Sequence, residues 1–467
     1  MTRAVVVGSG PNGLAGAAVL ARAGVSVTVI EAGQTIGGGT RTSEGIVPGL
    51  LHDHCSAVHQ VAAASPFLRS LGDAGPTWLS AEVDCVHPLD GGGAGVLHRS
   101  IDRTAAGLGT DGDRWRRLFG LLTSDFDGLF ADATQPIIRV PRHPILLGRF
   151  GAASVLPATA LAKAWREPET KALFAGVAAH AYHPLNRPMT SAIGLMLIAA
   201  GHVNGWVVAK GGSRAITDAL AADLERHGGK IVTGTVVRSA AELDAHDILL
   251  LDVSPSAAAD ILGDRLPGRI AKAYRRFHHG PGAFKVDFAV EGGVPWTARA
   301  ARAAGTVHLG GDLAEVVAGE RAVHRGRLPE RPFVLVSQQY LADPGRSVGS
   351  IHPVWTYAHV PHGYSGDATD RIVDQIERFA PGFRDRIVGQ AVRSTTELSV
   401  YNANYVGGDI IGGASTPTQV LFRPRPAIDP YFTGVPGAYL CSASTPPGAG
   451  AHGLCGVQAA NRALASV

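Results

Sequence analysis

Short apolar runs, each typical of a buried β-strand, recur along the chain at widely spaced positions. They are residues 4–7, 25–30, 230–233, 247–252 and 438–442. Continuous apolar runs of this length indicate strands that are covered on both faces, as in parallel sheets. An alanine-rich helical pattern follows the first run, and a helix is predicted at about 456–465 after the last. Because hundreds of residues separate these strands, they share one sheet only if their domain is discontinuous.

The sequence between these runs has two other textures. Residues from about 76 to 204 show a helical pattern with tryptophans and prolines and little strand character. The later part, from about 270 to 424, alternates like strands at 283–290, 333–339 and 354–360. The predicted fold class is α/β, with a discontinuous Rossmann-like domain and an inserted α+β domain that carries a helical cap. The predicted boundaries are 1–75, 205–270 and 425–467 for the first domain, and 76–204 and 271–424 for the second.

A glycine pattern, GSGPNG at residues 8–13, stands between the first strand and the first helix. In this context Gly8 permits a tight turn, Gly10 lets the backbone approach a pyrophosphate, and Gly13 lets helix and strand pack closely. The helix N-terminus then faces the phosphates. Glu31, at the end of the second strand, would accept hydrogen bonds from a ribose hydroxyl. The pattern therefore predicts a dinucleotide site, and a strand–turn–helix with incidental glycines is the alternative.

A glycine triplet and an arginine at residues 37–41 (GGGTR) extend this site. A plain nicotinamide site gives no reason for such a sequence after Glu31, whereas a longer dinucleotide does. Glycines permit close backbone approach, and the planar fork of Arg41 matches phosphate oxygens; a solvated surface arginine is the alternative. With these residues the chain resembles the FAD-binding flavoproteins of the phytoene-desaturase and amine-oxidase superfamily, whose amino-terminal motif continues past the acidic residue in the same way.

Further blocks carry this resemblance along the chain. Residues 205–231 resemble the family's GG…ALxxxLxxxGG block, and FKVD at 284–287 before Pro295-Trp296 matches a subgroup related to phytoene dehydrogenases. The resemblance implies a glutathione-reductase-type domain with FAD as the cofactor, and a strand after residue 231 whose backbone faces the adenine. The predicted cofactor-binding residues are Gly8, Gly10, Pro11, Asn12, Gly13, Glu31, Ala32, Gly38, Gly39, Thr40, Arg41, Val236, Val237, Ser444, Gly453, Leu454 and Cys455.

A second glycine-rich loop, CSASTPPGAGAHGLCG at 441–456, follows the last strand and opens the last predicted helix. Its N–H groups and the helix N-terminus favour an electron-rich partner. The resemblance implies that this loop runs under the isoalloxazine and that Gly453, Leu454 and Cys455 contact it through the backbone. A dipole there would stabilise the charge that hydride transfer to N5 places on the ring. A plain glycine-rich connection is the alternative.

Two residues are candidates for catalysis. His452 lies in the second loop, where it would orient substrate or shuttle a proton, and a structural histidine that packs the turn is an equal alternative. Lys285 stands on a predicted strand; a lysine near the flavin N5 recurs in related amine oxidases, and a surface or ion-paired lysine is the alternative. Candidates for the substrate pocket are Asp53, His54, Cys55, Trp355, Tyr357 and Tyr401. The alternative is that Cys55 and the aromatic residues belong to the core.

Composition narrows the function classes. Hydrophobic residues make up 45% of the chain and charged residues 17%, while the formal charge is only +3. No basic run interleaves with aromatic residues, so nucleic acid is not an expected partner. The four cysteines form no C-x-x-C or metal spacing, which argues against a disulfide reductase and against a metal site. No charged leader precedes the first strand, so the protein is expected to be cytoplasmic.

No apolar stretch reaches the roughly 20 residues that a membrane span requires. The best stretch, residues 191–201, ends at His202, and residues 144–165 contain Arg149 and Lys163. The second stretch is predicted to form one or two amphipathic helices that cap the inserted domain. A peripheral contact with a membrane surface is the alternative.

These observations predict an FAD-dependent oxidoreductase that desaturates or dehydrogenates an apolar small molecule by hydride transfer to flavin N5. No second G-x-G-x-x-G follows a strand, so the electron acceptor would be oxygen, a quinone or a protein. Three alternatives stay open: a redox-neutral flavin-dependent isomerase of a polyene, an amine oxidase, and a non-catalytic FAD-binding scaffold. The sequence leaves the substrate and the oligomeric state undetermined.

Overall fold

The computed structural model describes residues 2–466 of the chain. Its strands are β1 (Arg3–Val7), β2 (Ser26–Ile30), β3 (Thr42–Glu44), β4 (Leu51–Asp53), β5 (Trp78–Leu79), β6 (Val83–Pro88), β7 (Ala94–Leu97), β8 (Val208–Ala209), β9 (Lys230–Val232), β10 (Ile248–Leu251), β11 (Gly282–Glu291), β12 (Ala304–Leu309), β13 (Val334–Ser337), β14 (Ile351–Val360), β15 (Ile387–Arg393) and β16 (Ala438–Leu440). Its α-helices are α1 (Pro11–Arg22), α2 (Gln60–Ala63), α3 (Pro66–Arg69), α4 (Ile101–Ala106), α5 (Gly112–Thr123), α6 (Phe126–Ala133), α7 (Pro144–Ser154), α8 (Ala158–Leu161), α9 (Pro168–Ala178), α10 (Thr190–Asn204), α11 (Arg214–Arg226), α12 (Pro255–Leu262), α13 (Gly268–Arg275), α14 (Leu313–His324), α15 (Thr369–Phe379), α16 (Thr395–Tyr401), α17 (Pro417–Phe422) and α18 (Leu454–Leu464).

The first sheet is parallel and has the strand order β16-β10-β1-β2-β9. Val6 and Leu250, paired across β1 and β10, pack on the side of helices α1 and α18. Val5 and Leu249, the preceding pair, point the other way and pack against α12 and α13. Cover on both faces is the physical reason for the continuous apolar runs. The predicted Rossmann-like sheet built from distant parts of the chain is therefore confirmed, with β16 only two places from β1.

The second sheet is mixed and has the order β15-β11-β14-β13-β12-β6-β7. Alternate residues of its strands, such as Val286, Val336 and Val354, form an apolar layer against helix α15. The residues between them point to the opposite side, where the helical layer α5–α10 and the first domain lie. Since successive strand residues face opposite sides, this register sets which side chains the sheet offers to the rest of the molecule.

The structure corrects several predicted elements. Strands β6 and β7 lie within the stretch that was predicted to be helical, and β6 pairs in parallel with β12. Strand β6 (VDCVHP) is buried on both faces with polar Asp84 and His87 inside, so it lacks the alternation that marks a strand. Strands β12 and β15 were not predicted. The chain after β9 is not a strand, so the strand expected at Val236 and Val237 is wrong.

Helices α4 to α10 occupy most of residues 101–204, and α7 and α8 fall in the stretch 144–165 that was predicted to form one or two helices. Within residues 2–466 no single helix is long and apolar enough to cross a bilayer. Two consecutive helical segments, Pro144–Ser154 and Ala158–Ala164, meet the length and composition test only when taken together, and they are bent by 92°. The domain boundaries at residues 75, 204, 270 and 424 stay a prediction.

Candidate functional site

A cavity of about 1430 Å³ is lined by the carboxyl ends of β1, β2, β10 and β16 on one side and by β12, β13 and β14 on the other. In open α/β sheets this edge is where ligands bind. Pockets for small molecules typically measure roughly 300–1000 Å³. The cavity therefore has room for a dinucleotide together with a second molecule.

The glycine fingerprint forms one end of this cavity. Gly8 has a φ of 101°, and a Cβ there would lie 2.8 Å from the carbonyl oxygen of Asp252. A Cβ on Gly13 would lie 2.1 Å from the carbonyl oxygen of Gly8, so only glycine lets α1 approach β1 this closely. Helix α1 has no capping side chain at Gly10, and residues 11–12 lie on the cavity wall. Its N-terminus is thus open to an anionic group.

Asp252 is a component of this end that the sequence reasoning did not select. It follows β10 directly, and because β10 and β1 are neighbours its Oδ2 accepts a hydrogen bond from the Gly13 N–H at 2.9 Å. Asn404 Nδ2 donates to the Asp252 carbonyl oxygen at 3.0 Å. Burial and the charge of Glu31 together outweigh the Gly13 N–H and raise the pKa of Asp252 to about 7. The available signal was the acidic residue that ends the run DILLLD at 247–252.

Glu31 lies on the cavity wall, where donors of the protein already hold its carboxylate. Oε2 accepts from the N–H and the hydroxyl of Ser9 at 2.9 and 2.6 Å. Oε1 accepts from the Gly33 N–H at 2.7 Å and from Arg41 Nη2 at 3.2 Å. A ribose hydroxyl would therefore have to replace one of these donors, and the Ser9 hydroxyl is the one that can rotate away.

Arg41 and the glycine triplet mainly contact protein atoms. The guanidinium of Arg41 donates to the Thr35 and Gly38 carbonyl oxygens and to Glu31. Most N–H donors of the guanidinium, which was expected to bind phosphate, are thus already bonded to residues 31, 35 and 38 of the protein. A Cβ on Gly39 would lie 1.9 Å from the Tyr405 hydroxyl, so the triplet is required by close protein contacts as well as by any ligand.

The second glycine-rich loop forms the cavity wall through residues 442–444 and 446–452. Gly453, with φ of 73°, immediately precedes helix α18 and does not line the cavity. The Leu454 N–H donates to His452 Nδ1 at 3.0 Å, and Cys455 Sγ lies 3.4 Å from the Gly448 carbonyl oxygen. The backbone contacts expected from residues 453–455 therefore do not open on the cavity; the loop before them does.

His452 serves as the cap of α18, because its Nδ1 accepts the first N–H of that helix. Its side chain is buried on the wall, and burial lowers its pKa to about 4. The ring is consequently neutral near pH 7, with Nε2 as the nitrogen left for a ligand. The structural role that the sequence left as an alternative is present, and the catalytic role stays a prediction.

The predicted site residues divide between wall and interior. On the cavity wall lie Gly8, Gly10, Pro11, Asn12, Glu31, Ala32, Gly38, Gly39, Thr40, Arg41, Cys55, Val236, Val237, Trp355, Tyr357, Tyr401, Ser444 and His452. Away from it lie Gly13, Asp53, His54, Lys285, Gly453, Leu454 and Cys455. Val236 and Val237 reach the wall from a loop, since the Thr235 N–H bonds to the Glu31 carbonyl oxygen at 2.9 Å. Burial raises the pKa of the Cys55 thiol, so it is no thiolate nucleophile.

One face of the mixed sheet forms the inner floor of the cavity and is buried yet polar. Thr306 and His308 on β12 and Trp355, Tyr357 and His359 on β14 alternate with the apolar residues of the other face. A sheet face this polar, inside the molecule, is unusual because buried polar groups are costly unless they are paired or used. The two-residue alternation of these strands was the sequence signal that could have identified it.

Lys285 belongs to the ionic part of the same face. It pairs with Asp287, and its Nζ lies 5.3 Å from the centre of the Trp355 ring. Asp287 also pairs with Arg393 at 2.9 Å, and its pKa is lowered to about 2 despite burial by Lys285, by the His52 ring, whose Nδ1 lies 3.7 Å from Oδ1, and by Arg393. Burial lowers the pKa of Lys285. Lys285 is therefore the ion-paired lysine that the sequence analysis left as an alternative, and it does not line the cavity.

Asp53 is bonded on both carboxylate oxygens to protein groups and does not line the cavity, so its assignment to the substrate pocket is corrected. Its Oδ2 pairs with Arg346 Nη1 at 2.6 Å, and its Oδ1 accepts from Thr42 Oγ1 and the Ser213 N–H. Both side chains of the ion pair are fully buried. The neighbouring His54 bonds to Ser43 at 2.6 Å and lies off the wall as well.

The inner end of the cavity carries polar atoms that have no hydrogen-bond partner among the described residues. They are Thr306 Oγ1, Trp355 Nε1 and the Tyr182 hydroxyl oxygen, all in buried side chains on the wall. Tyr182 also has a φ of 50°, a strained backbone conformation for a bulky residue and a frequent mark of functional sites. Buried polar groups without partners are rare, so these atoms mark a place for a ligand's polar group.

Three histidines, the half-buried His180 and the buried His308 and His87, extend from this inner end of the cavity into the protein. His180 lies on the wall, and its Nε2 is 3.2 Å from His308 Nε2. The His308 ring lies beside the His87 ring, 6.5 Å between centres, and His87 Nε2 meets the Gly311 carbonyl oxygen at 2.7 Å. Burial lowers the pKa of His180 to about 3 and of His87 to about 4. All three rings are therefore neutral near pH 7, able to accept and to donate protons.

Comparisons with known proteins agree with this architecture. The model of the NAD(P)-binding Rossmann-like domain family matches residues 6–71. Pyridine nucleotide-disulfide oxidoreductase domain-containing protein 2 of Rattus norvegicus is 25% identical, and the match covers 98% of this chain and 92% of that protein. The mouse protein of the same name is also 25% identical over the same shares.

Solved structures share the whole fold. An oxidoreductase from Methanosarcina mazei has a TM-score of 0.63 at 16% identity, covering 98% of this chain and 100% of that one. Putrescine oxidase with bound putrescine gives 0.60 at 17%, covering 99% and 98%. Cyclohexylamine oxidase from Brevibacterium oxydans gives 0.58 at 15%, again covering 99% and 98%. The chain therefore has the fold of the FAD-dependent oxidoreductases of amine-oxidase type, with a Rossmann-like dinucleotide domain.

Proposed function

We propose that the protein is an FAD-dependent oxidoreductase that dehydrogenates a largely apolar small molecule. The observation that carries this proposal is the continuity of one cavity from the glycine fingerprint to an apolar and aromatic inner end. A dinucleotide and a substrate would thus meet in one enclosed space. The relatives and neighbours of this fold, named as oxidoreductases, support the reaction class.

The residues present fit FAD. The family model for residues 6–71 describes NAD(P) binding, which the fingerprint alone would also permit. The wall, however, continues past Glu31 through residues 38–41 and on to the loop at 442–452, whose open backbone offers a second binding surface for a longer dinucleotide. Gly8 and Gly13 let β1, α1 and Asp252 pack closely, and the uncapped N-terminus of α1 lies on the cavity wall. When bound, FAD would supply the acceptor for a hydride.

The chain's own residues would position the substrate and handle the proton. Apolar side chains of the cap, among them Leu147, Phe150 and Met196, line the cavity and would exclude water from the reacting bond. Trp355 Nε1 can only donate a hydrogen bond, so it would orient a substrate oxygen at the inner end. The neutral imidazole of His180 would accept a proton there and pass it to His308, 3.2 Å away.

An amine oxidase is the second candidate. Its support is the pair of rings Tyr182 and Tyr357, stacked with centres 6.1 Å apart on the cavity wall, because aromatic faces bind ammonium groups. The amine oxidases among the structural neighbours share the fold at 15–17% identity, which leaves the substrate class to experiment.

The test begins with the visible absorbance of the purified protein, before and after incubation with FAD. The flavin-loaded protein is then mixed anaerobically with a long-chain alcohol, a polyene and a primary amine of similar length. Bleaching by the alcohol or polyene supports the proposal, and bleaching by the amine alone supports the second candidate. Failure to bind FAD in any condition, or reduction only by NAD(P)H, would overturn both. Readmission of oxygen or of a quinone then distinguishes the electron acceptors.

A further inference from the structure

The cap carries a concentration of exposed apolar side chains. Of the thirteen large hydrophobic side chains that are exposed in residues 2–466, six lie between residues 137 and 156. They are Ile137, Ile138, Val140, Ile145, Val155 and Leu156. Val140 is 89% exposed and Ile145 is 73% exposed. Single exposed apolar residues are normal, whereas a cluster of this kind marks an interaction surface. The surface formed by residues 137–156 is called the cap face below.

Helix α7, which forms much of the cap face, is unusually apolar for a helix at the protein surface. Its sequence, PILLGRFGAAS, contains one charged residue, and only Ser154 is buried. The side toward the cavity presents Leu147, Phe150 and Gly151. The opposite side presents Ile145, Arg149 and Ala152, which follow the helical spacing of one face. A helix with so little polar surface is normally buried in a protein core or in lipid, whereas α7 lies at the surface with Arg149 as its only charged residue.

The charge of this region is also one-sided. From residue 137 to 166 the chain contains five Arg and Lys residues and no Asp or Glu, whereas the whole chain has 42 basic and 39 acidic residues. Arg142 and Arg149 are exposed beside the apolar side chains, and Arg139 is paired with the buried Asp132. An exposed apolar patch flanked by unpaired arginines suits contact with the surface of an anionic membrane.

We propose that the cap face docks on the surface of a bilayer that contains anionic lipid. Ile145, Val140 and their neighbours would enter the acyl boundary, while Arg142 and Arg149 would contact lipid headgroups. The 92° bend between Pro144–Ser154 and Ala158–Ala164 keeps α7 along the surface. A two-fold pairing of two copies through this face would bring the arginines of both copies into one interface, which favours lipid over a second copy.

The cap face is continuous with the cavity. Four side chains of the segment 137–156 also line the cavity: Ile137, Leu147, Phe150 and Val155. A molecule dissolved in the acyl layer would therefore reach the cavity without crossing water. This consequence rests on the proposed function, whereas docking itself does not.

Sedimentation with sucrose-loaded vesicles tests the docking. The flavin-loaded protein is mixed with vesicles of phosphatidylcholine alone, or of phosphatidylcholine and phosphatidylserine in equal parts. We expect binding that is about tenfold stronger to the anionic vesicles and that weakens with salt. The double variant Val140→Ser/Ile145→Ser is expected to lose binding to both, and Arg142→Gln/Arg149→Gln to lose only the preference for phosphatidylserine.

Matched controls remove exposed residues of the same kind elsewhere. Ile428 (75% exposed) and Val388 are exposed apolar residues outside the cap face, and Arg325 and Arg327 are exposed arginines. Val388→Ser/Ile428→Ser and Arg325→Gln/Arg327→Gln are expected to bind vesicles as the unchanged protein does. Flavin content and thermal midpoint show that every variant is folded.

Three results would overturn the proposal. The first is no binding of the unchanged protein to either vesicle. The second is equal losses in the cap-face and control variants. The third is a dimer in sedimentation velocity that the Val140→Ser/Ile145→Ser variant abolishes, because the cap face would then be an interface between copies. The vesicle assay contains no substrate, so its failure leaves the proposed reaction standing, and a failure of the reaction leaves docking standing.

Discussion

Replacing Asp252 by asparagine is expected to stabilise the protein in a pH-dependent way. The amide has nearly the shape of the carboxyl, and its oxygen can keep the hydrogen bond from the Gly13 N–H that Asp252 Oδ2 accepts at 2.9 Å. The variant therefore removes the titration of a buried acid with little change in packing. Its effect reports how strongly the folded protein resists a charge beside the glycine fingerprint.

The magnitude follows from the pKa of Asp252. Burial raises it from an ordinary 3.8 to about 7. Between these values the folded protein binds a proton that the unfolded chain does not, so the free energy of unfolding falls as pH rises. A tenfold change in an ionisation constant is worth 1.36 kcal/mol, so the loss amounts to about 4 kcal/mol by pH 8. As pH falls below 3.8 the side chain becomes protonated in the unfolded chain as well, and the loss, already small at pH 4, vanishes.

Differential scanning calorimetry of the two proteins at pH 4, 5, 6, 7 and 8 measures this. A unit of roughly 150–250 residues shifts its Tm by about 2–4 °C per kcal/mol. The Asp252→Asn protein should match the unchanged protein at pH 4 and exceed its Tm increasingly up to pH 8. Asp218→Asn, at an exposed carboxylate that pairs with Arg214 on the surface, is the control and should change the Tm little at any pH.

A Tm difference that is the same at every pH would refute the reasoning, because a titrating group must act through its pKa. A difference that grows as pH falls would refute its sign. Bound FAD does not reverse the expectation, since phosphate charges near Asp252 would raise its pKa further.

Other substitutions test the site at separate points. Gly13→Ala is expected to lower the flavin content about tenfold or more, because its Cβ would lie 2.1 Å from a backbone oxygen; absorbance measures this. Arg346→Met is expected to reduce the free energy of unfolding by about 3–5 kcal/mol in urea titrations, because it leaves the buried Asp53 carboxylate without its partner. Trp355→Phe is expected to keep the flavin and to weaken substrate binding about tenfold in anaerobic titrations, because it removes a buried N–H donor.

Each of these predictions has its own control. Gly120→Ala lies where an added Cβ meets nothing within 4 Å and should leave flavin content unchanged. Arg116→Ala removes exposed surface ion pairs and should leave the free energy of unfolding nearly unchanged. Equal effects in control and test variants would contradict the contacts assigned to Gly13 and Arg346. A Trp355→Phe protein that loses flavin would show that the residue supports the fold instead.

The local sequence pattern was sufficient to predict the glycine-rich end of the cavity. The strand at residues 3–7, the turn at Gly8 and the helix from Pro11 are encoded by neighbouring residues, so apolar spacing and glycine chemistry predicted them. The same reasoning failed for β6, where Asp84 and His87 are buried polar residues and break the apolar signal. A prediction that expects buried strands to be apolar therefore fails where polar residues are buried inside the fold.

The amino-acid sequence determined the fold class, the dinucleotide fingerprint and the loop that closes the cavity, because each depends on residues close together in the chain. Only the tertiary structure decided what meets them. Asp252 reaches Gly13 across 239 positions, and Asp53 is held by Arg346 across 293. Such contacts depend on which strands become neighbours and in which register, and the free energy that selects this order is summed over the whole core. The order and register of the strands cannot be deduced from any local sequence pattern. For this reason Asp53 was assigned to the substrate pocket and Asp252 was not selected.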